Sequence, residues 1–309
     1  MTTSTQPPAN GRVGFIGLGI MGTPMAQNLC RKFPTTVWNR TASKCEPLAA
    51  MGAKVGESPA AVAAQSDVIF MMLYNGEATR AILTDDFAKA LQSKTVVSTS
   101  SIEVSSSEHL GEFVHNAKGN YIEMPVSGSK VPAEQGNLVG MMGGDREVAE
   151  SIRPYLDVIT KKAIYCGPVG AGLKAKFAIN TFLISVTAGL AESMNLAKKQ
   201  GLDLEAFSEV VGASPMASVY STLKADKIYR EDWSAQAAMS DCCNNTQLIL
   251  AASKAAGAWS PLIEVCGSLY KEGVADGIGH QDMIAVSRVI SGDSKKDKNG
   301  EQTHDSAPK

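Results

Sequence analysis

Residues 13–29, VGFIGLGIMGTPMAQNL, carry the reading that decides the fold. A short apolar run from Val13 enters three glycines at G-x-G-x-x-G spacing, Gly17, Gly19 and Gly22, and a helical pattern follows at once. Strand, tight turn and helix in that order open a βαβ unit. In such a turn the first glycine makes the bend and the second lets backbone approach a bound pyrophosphate. The third lets the helix pack closely on the strand, and the phosphates sit at the helix N-terminus. The spacing alone is weak evidence, but its place between a strand and a helix makes it a dinucleotide-binding turn.

Six more strand-like runs lie downstream: TTVWN (35–39), DVIFMML (67–73), TVVSTS (95–100), YIEMPV (121–126), LVGMMGG (138–144) and AIYCG (163–167). Helical segments separate most of them, and that alternation predicts a doubly wound, mostly parallel sheet. Ser58-Pro59 supplies a capping hydroxyl followed by proline in the first helical turn. After about residue 168 the strands stop, and residues 171–199 contain good helix formers and no proline, enough for one long helix. The predicted fold class is α/β: a Rossmann-type, mostly parallel sheet followed by an all-helical C-terminal domain, the two connected by a long interdomain helix. The expected divisions are a flexible N-terminus (1–11), a dinucleotide-binding domain (12–169), and a helical substrate and oligomerisation domain (170–290). A disordered tail (291–309) follows, because SGDSKKDKNGEQTHDSAPK has no apolar periodicity to offset the entropy of ordering.

Composition narrows the ligand. With 309 residues and 44% hydrophobic content the chain can bury two cores, and a formal charge of −2 offers no bulk attraction to nucleic acid or to a membrane surface. Small molecules are the default. The six cysteines show no CxxC spacing and the four histidines are scattered, so no metal site is expected. The first ten residues lack a basic start and an apolar run, and no apolar run is expected to reach the roughly 18 residues of a membrane span. A cytoplasmic protein with reduced thiols is the expectation.

The identity of the dinucleotide turns on the end of the second strand. An acidic residue there bonds the ribose 2′-hydroxyl of NAD. This chain has Asn39, Arg40 and Thr41 instead, and the planar guanidinium of Arg40 suits a 2′-phosphate, so NADP(H) is the expected cofactor. Ile20 and Met21 between the glycines, with Leu73 at the end of DVIFMML, complete the expected cofactor contacts.

GFIGLGIMGTPMAQNL followed by VWNRT resembles the β-hydroxyacid dehydrogenase family, which belongs to the 6-phosphogluconate dehydrogenase-type NADP-binding superfamily. Three further segments extend the resemblance over residues 12 to 290: MPVSGSKVPAEQGNLVGMMGGD (124–145), GPVGAGLKAKFAIN (167–180) and GIGHQDMIAVSRVI (277–290). The wording of the first is closest to the glyoxylate/succinic semialdehyde reductase branch. The resemblance implies that Lys176 is the catalytic acid and Asn180 its partner. Ser127 and Gly128 would hold a substrate carboxylate, and Ser101 would contact substrate or nicotinamide. It also implies a homodimer or homotetramer. The residues read independently agree on the first pair: i and i+4 share a helix face, so ammonium and carboxamide can converge on one polar atom. The positive end of the helix dipole and partial burial both ease loss of the lysine proton to a carbonyl oxygen. Lys174 points to a different face.

One segment departs from the family. Where its pattern has a lysine-aspartate pair, this chain has Asn244-Asn245, and where it has an aromatic, this chain has Ala237. The lost cation removes an attraction for a substrate carboxylate, while amides can still orient a ligand by hydrogen bonds. A less anionic or bulkier substrate is expected, with Trp233 or Met239 as a replacement wall. The leading expectation is an NADPH-dependent reductase of a small carbonyl compound. The alternatives are an imine reductase and a non-catalytic NADP-binding interaction protein, the latter disfavoured by retention of Lys176 and Asn180.

Overall fold

The computed structural model describes residues 11–295. Nine strands form one sheet: β1 (Val13–Ile16), β2 (Thr35–Trp38), β3 (Lys54–Val55), β4 (Val68–Met71), β5 (Thr95–Ser98), β6 (Asn120–Glu123), β7 (Val126–Ser127), β8 (Leu138–Gly144) and β9 (Thr160–Gly167). The parallel part runs β3-β2-β1-β4-β5-β6, with β8 antiparallel to both β6 and β7, and β9 parallel to β8 on its other side. Helices of nine residues or more are α1 (Gly22–Cys30), α2 (Val104–Asn116), α3 (Ala171–Lys199), α4 (Leu204–Ala213), α5 (Val219–Tyr229), α6 (Met239–Ala255) and α7 (Pro261–Ala275).

The central strands read as continuous apolar runs because both faces are covered. On one face Val13, Phe15, Phe70 and Val97 pack with Met25 and Leu29 of α1. On the other, Ile16, Ile69, Met71 and Val96 pack with Phe87 and with Leu110 and Val114 of α2. The period of two along each strand divides one apolar run between two cores. Ser58 caps the helix Pro59–Ala64 as its sequence predicts, accepting from Ala61 N at 3.1 Å.

The chain divides into two compact units after Lys176, inside α3. The first unit therefore keeps the opening turn of that helix. In the second, α6 packs on α7 and α4 on α5. A two-residue bridge between Ala238 and Asp282 ties the start of α6 to the turn at Met283–Ala285. Inside this unit Lys224 of α5 donates to Asp282 at 2.6 Å, and both side chains are buried. The expectation of no run long enough for a membrane span is corrected at α3, which by length and composition alone is long and apolar enough to cross one, its apolar residues being interrupted by polar ones. Its Leu173, Ile184, Leu190, Ala191, Met194 and Ala197 are buried in protein.

Both expected terminal boundaries need correction. Gly11, placed in the flexible N-terminus, is buried so closely that a Cβ there would lie 1.9 Å from the Tyr155 hydroxyl. Residues 291–295, placed in the disordered tail, are ordered. Gly292 closes the helix Val286–Ser291 in a left-handed conformation (φ 81°), and Ser294 is buried, donating to Asp276 Oδ2 at 2.8 Å. The rest of those expectations, residues 1–10 and 296–309, lies outside the described residues.

Candidate active site

The glycine turn leaves β1 where the strand order reverses: β2 and β3 lie to one side of β1, and β4, β5 and β6 to the other. Ligands of open α/β sheets bind at that point, beyond the carboxyl ends of the strands. Gly17 has φ 100°, and a Cβ on it would lie 2.2 Å from Met72 O, while one on Gly22 would lie 2.0 Å from Gly17 O. Those two glycines are therefore required by the protein itself. Gly19 differs, because a Cβ there meets nothing within 4 Å. The open space over Gly19, at the start of α1, is what close approach of a pyrophosphate needs. Ile20, 52% exposed, lies beside it, and Met21 packs inward against the core.

Asn39 does more than mark the end of β2. Its Oδ1 accepts from Leu18 N at 2.9 Å and its Nδ2 donates to Thr41 O at 3.0 Å, so it pins the glycine turn. Arg40 and Thr41 are exposed, and no ion pair engages Arg40 among the described residues. Leu73 borders Gly17, and its N–H donates to Ser100 Oγ at 2.7 Å. Thr99 Oγ1 donates to Met71 O at 2.9 Å, so these hydroxyls tie β5 to the end of β4. Ser100 was not among the expected residues, because nothing in the run STSS distinguishes it from its neighbours. Ser101 is half-buried. Ser127, also half-buried, pairs with Val139 across β7 and β8, and Gly128 takes φ 127° where a Cβ would crowd Leu138.

The two lysines of the LKAK run separate by burial: Lys174 is exposed, whereas Lys176 is 8% exposed. Lysine is seldom buried without a task. Asn180 follows one turn later on α3 and is 5% exposed. In the helical unit its Nδ2 donates to Asn245 Oδ1 at 2.8 Å, and Asn245 Nδ2 donates to Asp241 O at 2.8 Å. The main-chain carbonyl at Asp241 thus orients both amides and leaves Asn180 Oδ1 as a buried acceptor with no hydrogen-bond partner among the described residues. Asn244 is half-buried beside this relay. Met239, expected as a wall for the ligand, is fully buried, and a Cβ on Gly273 would lie 2.3 Å from its sulfur. It fills the core between α6 and α7. Trp233 is half-buried with the Arg288 guanidinium 5.8 Å from its ring centre.

Sequence reasoning also missed Glu123. This carboxylate, 1% exposed at the end of β6, accepts from Ser107 Oγ at 2.6 Å and from the N–H groups of Gly172 and Leu173 at 2.8 and 3.3 Å. Burial pushes its carboxyl above the usual range, while these donors pull it back. A lone acid in the strand YIEMPV was the available signal.

A glycine turn at the reversal point of a 3-2-1-4-5-6 sheet defines a dinucleotide-binding protein, and a helical unit follows it in the chain. Residues 12–167 match the family described as the NAD binding domain of 6-phosphogluconate dehydrogenase. Residues 170–290 match the NAD-binding domain of NADP-dependent 3-hydroxyisobutyrate dehydrogenase. The chain belongs to the β-hydroxyacid dehydrogenase family. It is 33% identical over 90% of its length to glyoxylate/succinic semialdehyde reductase 2, chloroplastic, of Arabidopsis thaliana, covering 79% of that protein. It is also 33% identical over 90% of its length to 2-(hydroxymethyl)glutarate dehydrogenase of Eubacterium barkeri, covering 94% of it. Among solved structures, the Mycobacterium tuberculosis 3-hydroxyisobutyrate dehydrogenase with L-serine superposes with a TM-score of 0.81 at 26% identity, over 91% of this chain and 99% of that one. The protein is a nicotinamide-dependent oxidoreductase of small hydroxy or carbonyl compounds.

Proposed function

We propose that the protein is an NADPH-dependent reductase of a small carbonyl compound, with Lys176 as the proton donor. The observation that carries this reading is the burial of Lys176, one turn before Asn180, on a helix whose other nearby lysine, Lys174, is exposed. A bound nicotinamide supplies a hydride to the carbonyl carbon. Lys176 Nζ gives a proton to the carbonyl oxygen as negative charge develops there, and Asn180 Nδ2, through the hydrogen not given to Asn245, orients that oxygen. Gly17, Gly19 and Gly22 would hold the pyrophosphate at the start of α1, with Ile20, Leu73 and the main chain of Met21 around it. Arg40 pairs with a 2′-phosphate, and Asn39 holds the turn that both depend on. Ser127, Gly128 and Ser101 meet the substrate, as the family resemblance implies.

The amide relay bears on substrate class. Asn245 stands where the family pattern has the aspartate of its lysine-aspartate pair, beside Asn244 in the place of the cation, and its Nδ2 is already committed to Asp241 O. What the relay offers is the acceptor Asn180 Oδ1. An acceptor suits a substrate that brings a donor, a hydroxyl or an N–H, over one whose recognition depends on a second carboxylate. The same observation favours the second reading, reduction of a cyclic imine, whose protonated form carries an N–H. Exposed Phe182 and Leu196 on α3 are consistent with a homodimer or homotetramer.

The test measures oxidation of NADPH and NADH against glyoxylate, succinic semialdehyde, a hydroxylated aldehyde and a cyclic imine, together with cofactor affinity of three proteins. Arg40→Ala should weaken NADPH about tenfold or more while leaving NADH nearly unchanged, as expected for loss of one charge-assisted phosphate contact. Gly19→Ala should leave thermal stability unaltered, since its Cβ meets nothing, yet weaken both cofactors at least about tenfold by obstructing the pyrophosphate. Equal use of the two cofactors with no effect of Arg40→Ala would remove the NADP assignment. Failure to oxidise NADPH with any substrate would remove the reductase.

A further inference from the structure

The helix that carries Lys176 begins without a cap of its own. A helix leaves its first amides without intrahelical partners, and Gly170, before α3, has no side chain to offer them. Ala171 N donates to Pro168 O and Lys174 N to Gly170 O, each at 3.0 Å. The two amides between them, Gly172 and Leu173, both donate to Glu123 Oε1, on a strand 49 positions earlier than Gly172. Glu123 Oε2 takes the single proton of Ser107 Oγ, so the Tyr121 hydroxyl, 2.8 Å from Ser107, must be the donor of that pair. Glu123 thus accepts from one hydroxyl and two main-chain N–H groups. Its charge is held by converging dipoles, among them the positive end of α3.

Two glycines make room for this contact. A Cβ on Gly143 would lie 2.5 Å from Glu123 Oε1, and one on Gly172 would lie 2.3 Å from Met141 O and 3.2 Å from Glu123 Oε1. Position 170 cannot supply a capping side chain without strain, because Gly170 has φ 92° and a Cβ there would lie 3.0 Å from Val104 Cγ1. A carboxylate reaching across from β6 ties the helix end to the sheet.

We propose that Glu123 is a positioning residue for Lys176: by clamping the Gly172 and Leu173 amides it sets where the first turns of α3 lie on β6 and β8, and so where the ammonium one turn further on is delivered. This rests on the reading of Lys176 as proton donor.

The experiment compares Glu123→Ala, Glu123→Gln, Ser107→Ala, Lys176→Ala and the double variant Glu123→Ala/Lys176→Ala in the full chain. It reads kcat, KM, NADPH affinity and hydrogen exchange of the Gly172 and Leu173 amides. Glu123→Ala should lower kcat about 100-fold, the scale expected for a misplacement of about 1 Å. It should leave NADPH affinity within about twofold and speed exchange of the two amides by about tenfold or more. Glu123→Gln keeps an oxygen acceptor for Gly172 N and should recover kcat to within about tenfold of the parent. In the Lys176→Ala background Glu123→Ala should change kcat by less than about twofold, because the group it positions is gone. An equal loss with and without Lys176, or a loss of NADPH affinity in step with kcat, would overturn the proposal. If Glu123→Ala does not fold, Ser107→Ala decides. It should lower kcat several-fold with NADPH affinity intact, and a parental kcat overturns the proposal. Full activity of Lys176→Ala by itself overturns the proton-donor reading, and the role assigned to Glu123 with it.

Discussion

Replacing Lys176 by alanine lowers kcat for carbonyl reduction by about two to four orders of magnitude, the range that a positioned general acid contributes. That is about 3 to 5.5 kcal/mol of transition-state stabilisation. NADPH affinity stays within about twofold, because the glycine turn at the end of β1 is untouched. Alanine is a good helix former and the position is inside α3, so the helix persists. The matched control is Lys174→Ala. That lysine is exposed two residues away, and its loss leaves kcat within about twofold. Steady-state kinetics with a fluorescence titration of NADPH distinguish the outcomes. A variant that loses cofactor binding along with turnover would mean that Lys176 holds the dinucleotide and does not donate the proton.

The second large effect is on stability. Asp282→Ala leaves the Lys224 ammonium buried without its counter-charge, a loss of about 3–5 kcal/mol and a large share of the 5–15 kcal/mol typical of a domain. Lys224 is 2% exposed and Asp282 is fully buried. Asp282 also accepts from the N–H groups of Gln236 and Ile284, at 2.9 and 3.1 Å. The aspartate thus holds three stretches of the helical unit: α5, the segment before α6, and the turn at Met283–Ala285. Burial pushes the Lys224 ammonium down, and the carboxylate opposes that shift. The double replacement Lys224→Met/Asp282→Asn recovers part of the loss, since it removes the buried charge while keeping an acceptor for one of the two amides. Asp86→Ala is the comparison. Its partner Lys89 is 2.9 Å away with both side chains exposed, and such a pair contributes about 0–1 kcal/mol. Chemical denaturation reads all three, and an Asp282→Ala loss no larger than that of Asp86→Ala would show that Lys224 can reach water.

The glycine turn, the central strands and the long helix were legible because each is written in contiguous residues. Val13 to Gly22 contains its own strand, bend and helix start, and the steric demand at Gly22 comes from Gly17 O within the turn, while that at Gly17 comes from Met72 O, just past β4. Strands β3 and β7 were not legible. Two residues each are too few to show a period, and they exist only because a longer strand lies alongside. The order of residues 291–295 depends on Asp276, contributed by the end of another helix. Met239 and Trp233 could not be told apart as wall or core by residue type. Met239 is core because Gly273 leaves space for its sulfur.

The sequence by itself determined the class of cofactor, the point in the sheet where it binds, and which helix turn carries Lys176 and Asn180. Those are matters of local spacing: glycines at fixed intervals after a strand, or side chains four apart on a helix. Tertiary structure decided which lysine of that turn is buried, which amide group is left as an acceptor, and what anchors the helix. Each of these depends on a partner far along the chain, Asn245 for Asn180 and Glu123 for Gly172, at separations of 65 and 49 residues. No local pattern encodes such pairs. Burial removes water as the alternative partner, so the fold alone assigns these hydrogen bonds.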